Sequence, residues 1–479
     1  MTALPMSSPA AQGVAASGVH AFLDGLEAAA DIEPHSLMIL RHDHVVVSGW
    51  WAPYSPQRIH LLYSLSKSFT ATAAGIAVAE GLIRLDDPVI SYFPEFEADI
   101  TDPRSRAMLV RHVASMSSGH LEETFDRARA LDAENLVRGF LLLPPERDPG
   151  TVFAYDQLAT YTLAAILQKV TGQTLTEYLR PRLLDPLGIG ETAWIRYRTG
   201  GELGFSGLHA ATDAVARLGQ LHLRDGVWEG ERLLPEGWVA EAGRAHVETA
   251  SGAPDAAWSD WQQGYGFQFW MSRHGYRGDG AYGQFCLVLP EHDAVIAITA
   301  QTENMQKVLD LAWEHVLPAF GPRPLPGRED DDAALAERLV RLTLPAAPGK
   351  AAPPEHAEAW AGAEFAPDPT MPEDRPAATA VRVSVTGETW HVTLVEDDLR
   401  LELPLGQGGW TVVEEPMPVA VSGGWTDPDT LVVDVACLET PHHLVVTCSL
   451  PDATFSARWS TRPLHARSLG SLRAPRGSV

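Results

Sequence analysis

The segment Ser64–Gly81, SLSKSFTATAAGIAVAEG, carries small or apolar residues on most faces of a helix-length stretch. A helix that is apolar all round has no side to turn to water, so it is buried in a core, with protein packed on every side. Gly81 stands where a left-handed residue ends such a helix. One side chain breaks the pattern. Lys67 is one of only four lysines in 479 residues, against a Lys plus Arg total of 36, so arginine supplies most of the positive charge and a lysine here demands a reason.

The flanking sequence sets what surrounds this helix. From Ser36 to Trp51, SLMILRHDHVVVSGWW reads as strand, turn and strand around the polar tip Arg41–His44. His42 and His44 have H-x-H spacing, but a hairpin tip without further ligands reads as a turn and not as a metal site. Between Asp86 and Trp238 the chain is mostly helical patterns joined by Pro/Gly loops. From Gly264, the runs GYGFQFWM, YGQFCLVLP and AVIAITAQ read as strands, the last two joined by the turn Pro290–Asp293, and a helix follows over Asn304–Leu317. Strands early and late with helices between predict one sheet assembled from both ends of a domain around a helical insert, an α+β fold.

That domain is expected to span residues 1–320. Residues 321–356 read as a linker containing a short amphipathic helix at Asp332–Leu342, set between the Pro/Gly/acid stretch GPRPLPGREDDD and the flexible PAAPGKAAPPEHAEA. Residues 357–465 form an all-β domain. From Val381, eight short alternating runs punctuated by turns predict a meander that closes into a barrel or half-barrel. Residues 466–479 read as a flexible tail.

Charge and cysteine content narrow the function classes. A formal net charge of −26 and a pI near 5.0 repel phosphate backbones and anionic lipid, which argues against nucleic acid and membrane partners. No apolar run reaches the length of a membrane span. The first forty residues hold no Lys or Arg, unlike a secretory signal, so a cytoplasmic location is expected. Cys437 and Cys448 lie on what read as two arms of one hairpin. A cross-strand disulfide between them is one reading; two small half-buried residues is the other. The pair His442–His443 reads as a hairpin turn. No His/Cys cluster has zinc spacing, and no cofactor motif is present, so neither metal nor cofactor is expected.

Ser64 and Lys67 have S-x-x-K spacing. Residues three apart share a helix face, so hydroxyl and amine sit side by side. A serine hydroxyl is a weak nucleophile until a base takes its proton, and an amine serves if burial lowers its pKa. Neither Ser66 nor Ser68 has a lysine three residues on. Two further groups suit such a pair. Tyr155 follows Pro149–Gly150 in a loop just before a helix, where its phenol is placed to relay a proton. Gly278–Gly283 is a Gly-rich entry to a strand, where a substrate lies against the backbone and the Ala281 N–H joins that of Ser64 as an oxyanion donor. No G-x-S-x-G elbow competes; Gly204–Gly207, GFSG, is too short and lies in a loop.

With these residues in view, the first ~320 positions resemble the serine β-lactamase and penicillin-binding protein superfamily, nearest its class C-like esterases, D-aminopeptidases and 6-aminohexanoate-oligomer hydrolases. The similarity extends through YSLSKSFTATAAGIAVAEGLIRLDDPV, VRHVASMSSGH, PGTVFAYDQLATYTLAAIL and GLHAATDAVARLGQLHLRDGVWEGERLLPEGWV. It implies an antiparallel sheet flanked by helices, with Ser64, Lys67 and Tyr155 catalytic and the Ser64 and Ala281 amides as oxyanion hole. Gln157, Gly278, Asp279 and Gly280 fall at the substrate-binding motif positions. Two motifs depart from the family pattern. Gln157 stands where Asn is usual, and Gly278–Asp279–Gly280 replaces K-T-G. Loss of that lysine argues against β-lactams and for a small ester or amide substrate. Two other readings stand beside this one: a β-lactamase or D-amino-acid peptidase, and a non-catalytic binding protein on a hydrolase scaffold. Whether Lys67 or Tyr155 is the base is not fixed by spacing, since the two titrate together. Oligomeric state is not legible.

Overall fold

The structure, a computed structural model, describes residues 4–250, 252, 256–372, 375–406, 408–464 and 468–476. Its first sheet is built from β1 (Glu33–Arg41), β2 (His44–Trp50), β3 (Trp270–Met271), β4 (Tyr276–Gly280), β5 (Gln284–Leu289) and β6 (Ala294–Gln301), in the order β2-β1-β6-β5-β4-β3. Every pairing is antiparallel, and β1 lies directly against β6, so the two ends of the domain meet in the sheet centre. Alternate residues feed opposite faces. Met38 and Leu40 of β1 join Val295 and Ala297 of β6 in one core, while Leu37 and Ile39 join Ile296 and Ile298 in a second. A sheet covered on both faces explains why AVIAITAQ reads as a nearly continuous apolar run.

One face carries the helical insert. Here lie α2 (Ser66–Ala79), α3 (Gln157–Thr171) and α4 (Thr212–Leu223). All residues of α2 from Ser66 to Ala77 are buried, and Gly81 closes it with φ +71°. The other face is covered by α1 (Ala16–Ala28) and by the helical segment starting at Met305. Among the described residues no helix is long and apolar enough to cross a membrane.

The connecting helix α5 runs Glu329–Val340, starting three residues and ending two residues before the predicted Asp332–Leu342. Its first turn is Glu329–Asp332, and acidic side chains there face the positive end of the helix dipole. Leu335, Leu339, Leu342 and Leu344 then pack into the second core together with Ala420, Ala436 and Leu438 of the C-terminal part.

All eight predicted C-terminal runs are strands, and a ninth precedes them: β7 (Glu364–Pro367), β8 (Ala380–Thr386), β9 (Thr389–Glu396), β10 (Leu399–Pro404), β11 (Thr411–Val413), β12 (Val419–Trp425), β13 (Thr430–Cys437), β14 (His443–Ser449) and β15 (Thr454–Trp459). They order as β10-β9-β8-β7-β15-β14-β13-β12-β11 in a nearly closed barrel. β7 makes the join, antiparallel to β8 and parallel to β15. Trp360, Trp425 and Phe455 help fill the interior.

Of the two cysteine readings the unbridged one holds, and the expectation of a flexible tail is corrected. Cys437 and Cys448 are free thiols, fully buried; their registers set them opposite Val419 and Leu431, at different levels of the hairpin. The tail does not fray over residues 468–476. Leu469, Leu472 and Ala474 are buried, and the Ala474 N–H donates to Glu439 at 2.7 Å.

Candidate active site

Ser64 sits in a 3-10 turn, Tyr63–Leu65, that runs straight into α2. Tyr63 has φ +47°, a left-handed backbone costly for a residue with a side chain and retained only where neighbours enforce it. Those neighbours come partly from the barrel. The Tyr63 phenol and His442 Nε2 are 2.6 Å apart, and Tyr282, edge-on to Tyr63 at 5.5 Å, donates to the Arg462 carbonyl. The predicted hairpin pair His442–His443 is thus at a turn, but buried against the N-terminal domain.

The S-x-x-K geometry forms. Lys67 Nζ lies 3.1 Å from Ser64 Oγ. It also donates to Gln157 Oε1 at 2.7 Å and to the Phe205 carbonyl at 2.8 Å. Lys67 is 1% exposed, and this burial pulls its pKa down to about 7 against the upward pull of Asp279, Asp156 and Glu123. The Tyr155 ring lies beneath the amine, 4.8 Å from Nζ to centroid. Burial pushes the Tyr155 phenol well up and the Asp279 charge adds to that, while a hydrogen bond with Ser64 draws it partly back.

Sequence and structure divide the remaining residues differently. Gln157, the first residue of α3, holds Lys67. Asp156 caps α3 by accepting from the Leu158 N–H at 2.9 Å and takes the Thr124 hydroxyl at 2.7 Å; its burial lifts its pKa to about 6. Gly278 and Gly280 lie on β4, and the close approach they permit is to the protein itself. A Cβ on Gly280 meets the Leu62 carbonyl at 2.0 Å, and one on Gly278 meets Leu65 Cδ1 and Ser68 Oγ at 2.5 Å. The glycines therefore seat β4 against the turn bearing Ser64, which brings Ala281 beside it, next to Leu61 and Tyr63. Asp279 is engaged by the buried Arg277, with Nε and one terminal nitrogen each 3.0 Å from Oδ2.

Three participants escape sequence reasoning. Glu123 influences Lys67 from a loop far from any motif, and its own pKa is raised by burial. Arg277 is set over Trp261, 4.5 Å from its ring centroid. The Phe205 carbonyl belongs to GFSG, and the available signal was its glycines: Gly204 and Gly207 both have positive φ (71° and 88°), which folds the loop back onto α2.

Residues 19–320 match the beta-lactamase family. The chain belongs to that family. It is a hydrolase of the β-lactamase superfamily, with distant relatives of several activities. The 6-aminohexanoate-dimer hydrolase of Paenarthrobacter ureafaciens is 28% identical over 283 residues, covering 54% of this chain and 71% of that one. The lovastatin esterase of Penicillium rubens is 28% identical over 172 residues, 31% of this chain and 43% of the other. Among solved structures, the fold resembles EstCE1, a hydrolase with promiscuous acyltransferase activity, at a TM-score of 0.51 and 19% identity, covering 62% of this chain and 98% of that one.

Proposed function

We propose that this family member is a serine hydrolase that cleaves a carboxylic ester or small amide through an acyl-enzyme on Ser64. The observation that carries the proposal is the set of partners around Lys67. A neutral amine has two hydrogens and one lone pair. Gln157 Oε1 and the Phe205 carbonyl accept the two hydrogens, which leaves the lone pair for the Ser64 hydroxyl. On protonation the third hydrogen turns toward Ser64 Oγ. Both states are satisfied in one geometry, so the proton crosses without rearrangement.

Lys67 is therefore the base, since its amine is partly neutral near pH 7, and Tyr155 stays protonated and serves as the acid. Ser64 Oγ attacks the carbonyl carbon while its proton passes to Lys67. The oxyanion is held by the Ser64 and Ala281 amides. Tyr155 gives its proton to the leaving oxygen or nitrogen and is recharged from Lys67. Water then attacks the acyl-enzyme, its proton taken by the same amine, and as the bond from the acyl carbon to Ser64 Oγ breaks Lys67 returns that proton to Oγ. An ester is favoured over an amide because its leaving group demands less of the acid. A fluorophosphonate probe is expected to label the tryptic peptide containing Ser64 and to leave Ser64→Ala unlabelled. Labelling at Ser66, Ser206 or nowhere would remove the mechanism and favour a binding protein on a hydrolase scaffold.

The substrate is expected to lack a carboxylate near the scissile bond. Arg277 is committed to Asp279, and Gly278 leaves no room for a lysine without displacing Leu65 and Ser68. A missing charge-assisted hydrogen bond costs about 1.5–3 kcal/mol, or roughly one to two decades in rate or affinity. Nitrocefin is accordingly expected to turn over at least tenfold more slowly than a p-nitrophenyl ester. Comparable kcat/KM for the two would refute the charge argument and restore the β-lactamase reading.

A further inference from the structure

Away from Ser64, a chain of imidazoles crosses from the hydrolase domain to the barrel. His60 Nδ1 is 3.0 Å from the Leu61 carbonyl, His60 Nε2 is 3.2 Å from His35 Nδ1, and His35 Nε2 is 3.0 Å from Glu33 Oε1. From the far side, His443 at the start of β14 brings its Nε2 within 2.8 Å of the same Glu33 oxygen, while its Nδ1 is 3.1 Å from Asp434 Oδ1 on β13. Both His35 and His443 are buried, and Glu33 is 30% exposed.

Counting donors along this chain exposes a gap. The Leu61 carbonyl only accepts, so His60 Nδ1 donates to it and His60 Nε2, in a neutral ring, accepts. His35 Nδ1 donates to that nitrogen. His35 Nε2 then turns a lone pair toward Glu33 Oε1, itself an acceptor. Two acceptors 3.0 Å apart require a cation between them. One proton added to the His60–His35 pair is one; a metal ion is the other.

We propose that Glu33, His35 and His443 form a zinc-type divalent metal site that fastens the barrel to the hydrolase domain. The ligand atoms all lie within 4.8 Å of one another. The nitrogen–oxygen separations of 3.0 and 2.8 Å fall about 0.3 and about 0.5 Å short of the ~3.3 Å edge of a tetrahedron with ~2.05 Å bonds, so a modest opening admits the ion. The outer shell is already built. His35 Nδ1 is held by His60 and His443 Nδ1 by Asp434, the arrangement that fixes tautomer and ring orientation for metal-binding histidines. Glu33 and Asp434 offset the charge of a dication. Glu33 also lines a groove of about 1080 Å³, together with Trp51, Gln301 and Thr461, which supplies an entry path and space for a water as fourth ligand. Glu33 and His35 lie two apart on β1 and His443 comes from β14, so no local spacing announces the full set. The site binds the hairpin whose preceding residue, His442, contacts Tyr63, and its existence does not rest on the role of Ser64.

The test uses the full chain, stripped of metal with a chelator and titrated with zinc against a fluorescent zinc indicator. One zinc per chain is expected, with Asp434→Asn binding about 10–100-fold more weakly and Glu33→Gln losing the site. Cobalt(II) in its place is expected to give the intense visible bands of a tetrahedral ion, and zinc to raise the unfolding temperature of the wild type but not of Glu33→Gln. His443→Gln is checked by circular dichroism; if it does not fold, Glu33→Gln on the groove rim decides. Failure of the wild type to take up zinc at micromolar concentration, or equal uptake by Glu33→Gln, overturns the proposal and leaves protons in place of the metal on the histidines around Glu33.

Discussion

Lys67→Arg is expected to reduce kcat/KM for a p-nitrophenyl ester by about 10²–10⁴-fold, and Lys67→Ala by a similar factor, because positioned acid–base groups contribute on that scale. The two substitutions separate charge from basicity. Arginine keeps a cation beside Ser64 Oγ but does not release its proton in this range. Alanine removes both. If Lys67 merely anchors charge among Asp279, Asp156 and Glu123, arginine rescues most of the activity and alanine does not. The wild-type profile supplies the second readout. The Lys67 pKa is drawn down to about 7 by burial, so the neutral amine accumulates as pH rises through that value, and activity rises with it. An acidic limb centred far below this, in the ordinary carboxylate range, would assign the base to a neighbouring acid. Fluorophosphonate labelling of each variant under circular dichroism control distinguishes a dead site from an unfolded chain.

How much of this arrangement was legible follows from the range of the contacts involved. The Ser64–Lys67 pair is local, three residues on one helical face, and an apolar helix made the lysine conspicuous. The barrel strands were equally legible, because alternating residues report which side each faces. The strand β4 was not. Its sequence YRGDG is poor in β-formers, and it is held as a strand by pairing with β5 rather than by its own preference. Its glycines were assigned to substrate, whereas their crowding partners are Leu62, Leu65 and Ser68, which only the packed structure supplies. The strand β7 was missed for a similar reason: four residues that close the barrel through partners at both ends of the meander. Gln157 illustrates the same limit. The motif gave its position beside the site, but only the fold shows that its amide oxygen is taken by Lys67.

Tyr155→Phe separates the roles of acid and base, and its effect is expected to depend on the leaving group. The phenylalanine ring keeps the packing of Tyr155, which stacks on Trp270 at 5.4 Å and meets Tyr265 edge-on at 6.2 Å, so the substitution removes the hydroxyl alone. That hydroxyl is held protonated by burial and by the Asp279 charge, which suits a group that gives a proton away. An alkyl ester or an anilide expels a strongly basic leaving group and needs that proton in the transition state. For such substrates kcat/KM is expected to fall about 10²–10⁴-fold. A p-nitrophenolate leaves unaided near neutral pH, so its ester is expected to lose roughly tenfold or less under the same principle. The acidic limb near pH 7 should persist in the variant, because Lys67 sets it. A uniform loss across all leaving groups, together with disappearance of that limb, would mean that Tyr155 takes the serine proton. Lys67 would then act on the phenol, through the 4.8 Å contact with its ring, rather than on Ser64.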